Sequence, residues 1–163
     1  MLQTQEELLS ILDELKIEYV NTQHPAVFTV EEADRHHQGI EGVHSKNLFF
    51  KDKKKNLFLV ITLDHKPIKI KEVAKIIGAK TMSFAKPDLL MEILGVSPGS
   101  VTPFAAVNIP KDREVKIILD EEMMGNDLLN FHPLVNTATT TLRAGDLIRF
   151  LGHVGQTPEI IRL

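Results

Sequence analysis

Two short apolar segments on either side of a charged segment constrain the fold of this chain most. Residues 46–50 and 57–63 are largely apolar, and the lysine-rich segment 51–56 separates them. Apolar runs of this length around a polar turn are typical of two paired strands. The pattern therefore predicts a β-hairpin whose lysine-rich connection is a solvated turn.

Helical patterns alternate with further strand-like runs along the rest of the chain. Capping residues, helical spacing of apolar residues and terminal glycines predict helices over 5–15, 30–37, 70–77 and 88–94. Strand-like runs cover 18–22, 104–109, 115–120 and 137–142, with an edge strand at 160–162. Hairpins interrupted by helices predict a mixed, largely antiparallel sheet with helices packed around it.

The composition limits the class of protein. A chain of 163 residues that is 43% hydrophobic fits a single domain spanning residues 1–163. The net charge of −3 gives no global field that would attract DNA, and the absence of cysteine excludes a thiolate nucleophile. No apolar run approaches the roughly 20 residues of a membrane span, and the acidic N-terminal segment is unlike a targeting peptide. We therefore expect a cytoplasmic protein without a membrane partner.

The segment 95–104, GVSPGSVTPF, is the first candidate site. Gly95 is placed to end a helix, and Pro98-Gly99 is a turn dipeptide in which Gly99 can take a positive φ. The N–H groups of Gly99 and Ser100 carry no bulky side chain over them, so this loop can bind an anion or a polarised carbonyl. A plain helix-to-strand connection explains the same residues.

Lys46 and His132 are the other candidates from local chemistry. Lys46 opens an apolar strand, where an inward ammonium needs an anion or a carbonyl as partner. A solvent-facing Lys46 like Lys51 and Lys53 fits the spacing slightly better. His132 precedes Pro133 and lies near Asn136, and such a pair can orient a water or a hydroxyl. The seven histidines lack zinc-site spacing, so we expect no metal and no cofactor.

Four segments in this order carry a family resemblance: 24–29 (HPAVFT), 45–49 (SKNLF), 95–104 (GVSPGSVTPF) and 130–137 (NFHPLVNT). Together they resemble the YbaK/ProX family, which is related to the editing domain inserted in bacterial prolyl-tRNA synthetase. The branch that the chain resembles most is the free-standing alanyl-tRNA-Pro deacylase, called PrdX-like. The resemblance implies an α/β (α+β-like) fold with a curved central sheet.

The resemblance also implies an activity and a set of site residues. The activity would be trans-editing hydrolysis of mischarged tRNA-Pro, without a metal and with prolyl-tRNA synthetase as a further partner. The implied catalytic residues are Lys46, Gly99, Ser100 and His132. The implied substrate-binding residues are Ala26, Val27, Phe28, Thr29, Asn47, Pro98, Phe131 and Asn136.

A lysine-rich stretch suggests where tRNA would bind. Lys71 and Lys75 are four residues apart, so they share one helix face, and Lys80 follows that helix. Lys66 and Lys69 belong to the same stretch. Two other functions stay open at this point: a non-catalytic module that binds tRNA or the synthetase, and a regulatory domain that binds a free amino acid.

Overall fold

The computed structural model describes residues 2–26 and 29–163. The helices are α1 (Gln5–Glu14), α2 (Val30–His37), α3 (Ile70–Ile77), α4 (Pro87–Leu94), α5 (Glu121–Met124) and α6 (Ala144–His153). The strands are β1 (Tyr19–Gln23), β2 (Val43–Lys51), β3 (Leu57–Leu63), β4 (Ser83–Phe84), β5 (Val115–Asp120), β6 (Leu128–Phe131), β7 (Ala138–Arg143) and β8 (Glu159–Ile161). Among the described helices, none combines the length and apolarity that a bilayer crossing requires.

One mixed sheet organises the described chain, with strand order β1-β7-β6-β2-β3-β5-β8 and with β4 paired to β2. Of the described strand pairs, β1/β7, β2/β3, β2/β4 and β6/β7 are antiparallel. The pairs β2/β6, β3/β5 and β5/β8 are parallel. The prediction of a mixed sheet with helices around it is confirmed, and its antiparallel pairs only slightly outnumber its parallel ones.

The predicted hairpin lies at the centre of this sheet. β2 and β3 pair antiparallel from Ser45 opposite Leu63 to Lys51 opposite Leu57. Six of the seven β3 residues are buried, as expected for a strand covered on both faces. The lysine turn is organised by Asp52, whose carboxylate accepts hydrogen bonds from the backbone N–H groups of Lys54 and Asn56.

Two clusters of buried side chains cover the two faces of the sheet. The larger contains Phe49, Leu59, Phe104 and Phe150 and is covered by α1, α4 and α6. The smaller contains Phe50, Val60 and Ile118 and is covered by α3. Because neighbouring residues of a strand point to opposite faces, Phe49 and Phe50 belong to different clusters.

The structure corrects one predicted strand. Residues 104–109 were expected to be extended because they are apolar, but Pro103–Asn108 forms a 3-10 helix. Thr102 caps it by accepting a hydrogen bond from the Phe104 N–H, and Pro103 suits the first helical position. A short apolar run does not by itself distinguish a buried strand from a buried helical turn.

Candidate active site

Lys46 projects from the face of β2 that carries the smaller cluster. Leu48 and Phe50 pack with that cluster, and alternation along a strand puts Lys46 on their side. Across the hairpin Lys46 is paired with Thr62 of β3. Lys46 is half-buried on this face, whereas Val96 and Val101, on either side of the glycine turn, pack with the larger cluster.

The sheet opens at Lys46 on the edge of β2 away from β3. β2 pairs with β6 at Val43 and His44, and with β4 at Phe50 and Lys51. Within the described chain, residues 45–48 have a strand partner on the β3 side only. The backbone groups of residues 45–48 that point away from β3 are therefore not used by a described strand pair.

The Lys46 ammonium has no ion-pair or hydrogen-bond partner among residues 2–26 and 29–163. The buried carboxylate closest in the sheet register belongs to Asp120, which accepts a hydrogen bond from Thr62. That carboxylate is paired with Lys66, whose Nζ lies 2.9 Å from Asp120 Oδ2. Lys46 is therefore left free to bind an anion or a polarised carbonyl.

Asp120 stays ionised in spite of its complete burial. Burial alone would raise the pKa of its carboxyl, but hydrogen bonds from Thr62 and Lys66 outweigh it and lower the pKa below the ordinary value. The hydrogen bond to Glu122 is the largest influence that raises the pKa of Lys66. Lys66 belongs to the lysine-rich stretch predicted to bind tRNA, and this pairing removes it from that surface.

Asn47 projects from the opposite face of β2 to Lys46, so the two side chains do not extend from the same side of the strand. Its Nδ2 donates to Ser45 Oγ at 3.1 Å, and Ser45 Oγ donates to the Asn130 carbonyl at 2.9 Å. Asn47 Oδ1 is buried without a hydrogen-bond partner in the described chain. A substrate-binding role for Asn47 stays a prediction.

The glycine segment forms a 3-10 turn over Pro98–Ser100. Gly95 ends α4 with φ 66°, as predicted, whereas Gly99 does not use the positive φ that glycine permits. An added Cβ at Gly99 would lie 3.3 Å from Asn136 Nδ2, a close contact with the end of that side chain. The turn thus packs against the loop that follows β6.

Only one of the two predicted backbone donors is free for a ligand. The Ser100 N–H donates to the Ser97 carbonyl at 2.9 Å, which closes the turn. The Gly99 N–H lies in the first turn, where a helix has no internal acceptor for it. The Ser100 side chain is buried, and no described carboxylate or imidazole hydrogen-bonds to it, so a nucleophilic Ser100 lacks a base.

His132 lies directly after β6 and has a defined tautomer. Its Nδ1 is 2.9 Å from the Ala138 carbonyl oxygen, and since a carbonyl only accepts, Nδ1 carries the proton. Burial lowers the pKa of His132, more than the Ala138 carbonyl raises it. Near neutral pH the ring is therefore uncharged and its Nε2 is a hydrogen-bond acceptor.

Two further histidines line up with His132, which the sequence analysis did not foresee. The His24 ring lies 6.2 Å from the His132 ring and stacks on His36 at 5.6 Å. His24 Nε2 lies 2.8 Å from Thr139 Oγ1, which ties the ring to β7. The only sequence signal was that His24 and His132 both belong to the family segments.

A second histidine pair connects α2 with β2. The rings of His37 and His44 stack with centroids 3.4 Å apart and planes 9° apart. Burial lowers the pKa of His44 to about 4, with a further lowering by His37. His44 Nε2 is buried without a hydrogen-bond partner in the described chain.

The remaining predicted substrate-binding residues have varied surroundings. Val27 and Phe28 lie outside the described residues. Thr29 is exposed and caps α2 by accepting a hydrogen bond from the Glu32 N–H, and Ala26 is half-buried. Phe131 is 2% exposed, and its ring meets Phe104 edge-on in the larger cluster. A structural role thus accounts for the observed contacts of Thr29 and Phe131.

The predicted tRNA-binding lysines are exposed. Lys71 and Lys75 lie on the outer side of α3, and Lys80 follows it. The Lys80 carbonyl accepts a hydrogen bond from the Lys53 N–H, which brings the lysine turn of the hairpin beside them. Lys69 forms an exposed ion pair with Glu72, so it contributes less to this basic surface.

A family model described as "Aminoacyl-tRNA editing domain" matches residues 24–150 of the chain. The chain belongs to the aminoacyl-tRNA editing domain family. The resemblance of its four segments to this family is thereby confirmed, whereas membership of the PrdX-like branch stays a prediction.

Relatives of similar length support this assignment. Prolyl-tRNA synthetase associated domain-containing protein 1 of Danio rerio is 40% identical over 157 residues, 95% of this chain and 85% of the relative. The prolyl-tRNA editing protein ProX of Acetoanaerobium sticklandii is 34% identical over 159 residues, 96% and 95% of the two chains. A crystal structure provisionally described as a trans-editing enzyme for prolyl tRNA synthetase matches with a TM-score of 0.71 at 18% identity. The match covers 100% of this chain and 99% of that structure's chain. At that identity the structural match shows the fold.

Proposed function

We propose that this protein is a trans-editing aminoacyl-tRNA deacylase that hydrolyses the ester of mischarged tRNA-Pro, with alanyl-tRNA-Pro as the expected substrate. The observation that carries the proposal is the half-buried Lys46 at the open edge of β2, which has no ion-pair or hydrogen-bond partner among the described residues. The name of the ProX relative, a prolyl-tRNA editing protein, agrees with this activity.

The proposed chemistry uses polar groups of the chain and one water molecule. Water adds to the ester carbonyl carbon, the bond from that carbon to the ribose oxygen breaks, and a proton passes from the water to the ribose oxygen. Lys46 binds the carbonyl oxygen or the phosphate of the terminal adenosine as a point charge. The Gly99 N–H stabilises the developing oxyanion, and Pro98 holds the turn. This chemistry needs no metal or cofactor.

His132 and Asn136 would orient the water from the loop after β6. The unprotonated Nε2 of His132 can accept a hydrogen bond from water because Nδ1 holds the ring proton. Asn136 lies against Gly99 and so connects this loop with the oxyanion donor. A hydroxyl of the ribose can assist the transfer of the proton, which makes a Ser-His-Asp triad unnecessary.

A small pocket limits the amino acid, and a basic surface binds the tRNA. A pocket sized for alanine excludes larger side chains by steric clash, but a missing methylene changes binding by only about 1–3 kcal/mol. We therefore expect glycine and serine esters to be hydrolysed as well. Lys71, Lys75 and Lys80 would contact acceptor-stem phosphates. The names of several relatives associate them with prolyl-tRNA synthetase, so a complex with that enzyme belongs to the proposal.

A deacylation panel tests the proposal. Alanyl-tRNA-Pro, alanyl-tRNA-Ala and prolyl-tRNA-Pro are incubated with the protein, and the loss of each ester is followed with time. We expect fast loss of alanyl-tRNA-Pro and little loss of prolyl-tRNA-Pro. Tight tRNA binding without any ester loss would overturn the proposal in favour of a non-catalytic binding module. A thermal shift with free alanine or proline, and none with tRNA, would instead indicate a regulatory domain.

A further inference from the structure

Two separate segments bring two histidines and two aspartates together beside the α2 helix. Asp34 and His37 lie one turn apart on α2, whereas Asp64 and His65 follow the end of β3. One donor atom each from Asp34, His37 and Asp64 lie within 4.8 Å of one another. His65 Nε2 is 3.2 Å from Asp34 Oδ1 and 3.4 Å from Asp64 Oδ2.

The two separations that involve His65 are close to those between the ligands of a tetrahedral metal ion. With Zn–N and Zn–O bonds of about 2.0–2.2 Å, tetrahedral ligand atoms lie roughly 3.3–3.6 Å apart. The two His65 contacts fall at or just below this range, and His37 Nδ1 lies slightly outside it at 3.9 Å from Asp64 Oδ2. The donor atoms of Asp34, His37 and Asp64 lie within 4.8 Å of one another, so His37 would move closer to the two carboxylates on binding the ion.

The charges of the cluster also call for a cation. In the described chain, neither Asp34 nor Asp64 has a lysine or arginine ion-pair partner. The one lysine in this region, Lys66, is paired with Asp120 and Glu122. The two negative charges of Asp34 and Asp64 are neutralised by the two positive charges of one divalent cation.

The His37 ring is already held in position from its other side. It stacks on the His44 ring, which lies on β2, with centroids 3.4 Å apart. Because the His37 ring is already held by this stacking, metal binding has to restrict its rotation less. The cluster also lines a cavity shared with Lys66 and Glu122, so an ion can reach it from solvent.

We propose that Asp34, His37, Asp64 and His65 bind one divalent transition-metal ion of the Zn²⁺ class. Two imidazole nitrogens and two carboxylate oxygens suit Zn²⁺, whereas Mg²⁺ and Ca²⁺ prefer six or more oxygens. The ion would clamp α2 to the loop after β3, and α2 directly follows segment 24–29. Its role is to fix this helix, and the hydrolysis proposed above takes no step through it.

Metal titration of chelator-treated protein tests the site directly, with Zn²⁺ or Co²⁺ alone as the probe. We expect one Zn²⁺ per chain by calorimetry and intense visible absorption of tetrahedral Co²⁺, with no comparable binding of Mg²⁺. Asp34→Asn and His65→Gln replace ligands whose side chains are 49% and 64% exposed, so both variants should fold. Each should weaken Zn²⁺ binding at least tenfold.

Matched controls exclude binding elsewhere on the surface. Asp112→Asn changes an exposed aspartate, and His153→Gln changes an exposed histidine, both outside the cluster. Both controls should bind Zn²⁺ like the wild type. The site is refuted if the wild type binds no Zn²⁺, or if Asp34→Asn and Asp112→Asn bind it equally well. Loss of binding in His24→Gln together with normal binding in His65→Gln would equally overturn the assignment.

Discussion

Replacing Lys66 with methionine tests whether the Lys66–Asp120 pair stabilises the fold. The Asp120 carboxylate is fully buried and accepts hydrogen bonds from Thr62, Lys66 and the Glu122 N–H. Methionine keeps much of the length of Lys66 but removes its charge. Leaving one partner of a buried ion pair uncompensated costs about 3–5 kcal/mol. Because the Lys66 side chain is 19% exposed and water can partly replace it, we expect a loss near the lower end, about 3 kcal/mol.

The assay is urea unfolding at pH 7, followed by circular dichroism. For a domain of this size, a loss of about 3 kcal/mol also lowers Tm by roughly 6–12 °C. Lys69→Met is the matched control, since the Lys69–Glu72 pair is exposed and should change stability by no more than about 0.5 kcal/mol. Asp120→Asn in the Lys66→Met background should recover part of the loss, because the uncompensated charge is gone. A Lys66→Met variant as stable as Lys69→Met would refute the reasoning.

The same pair predicts how the stability difference depends on pH. The folded state lowers the pKa of Asp120 below its ordinary value of 3.8, so its ionised form favours folding. This contribution is fully present above 3.8 and is lost as the pH falls through the lowered pKa. The stability gap between wild type and Asp120→Asn should therefore be constant from pH 7 to pH 5 and narrow below pH 4. A gap that widens on acidification would contradict the sign of this shift.

Three further predictions concern the candidate active site. Gly99→Ala should change stability by less than about 1 kcal/mol, because the φ of Gly99 suits alanine and the added Cβ meets only the end of the Asn136 side chain. The same variant should slow deacylation, and a normal rate would exclude Gly99 from the site. Lys71→Ala/Lys75→Ala should weaken tRNA binding and reduce the slope of affinity against salt by about 1–2, and an unchanged slope would exclude this surface. Because burial lowers the pKa of His132, the unfolded state binds the proton more readily, and stability rises with pH through the range near 6.5. The urea midpoint of His132→Gln should rise less over this range than that of the wild type. An equal rise in both proteins would contradict the direction of the pKa shift.

The sequence predicted the local elements well because their signals are local. Residues within one turn or one strand are enough to predict four features: the hairpin, the Thr29 cap of α2, the end of α3 at Gly78 and the end of α4 at Gly95. The 3-10 helix after Thr102 was predicted as a strand because the segment is largely apolar. The short β6 was missed, since it follows α5 within a few residues and lacks a long apolar run.

The candidate site was predictable only as far as the family segments identify it. Gly99 was expected to be able to take a positive φ, but its φ is not positive, and its close neighbour is the end of the Asn136 side chain. The basic surface was overestimated because the partners of Lys66 come from β5 and α5, far along the chain. The stacked histidines were likewise beyond the reach of sequence spacing, because α2 and β2 supply one ring each.

The most direct measurement is the single-turnover rate of alanyl-tRNA-Pro deacylation by Lys46→Ala beside Lys51→Ala. Both lysines lie on β2, but only Lys46 lies at the open edge between β6 and β4. Removing one stabilising group at a developing charge costs on the order of 100-fold or more in rate. We expect a loss of that size for Lys46→Ala with an unchanged unfolding curve, and a nearly normal rate for Lys51→Ala. Equal rates for the two variants would contradict the assignment of Lys46 as the group that binds the ester.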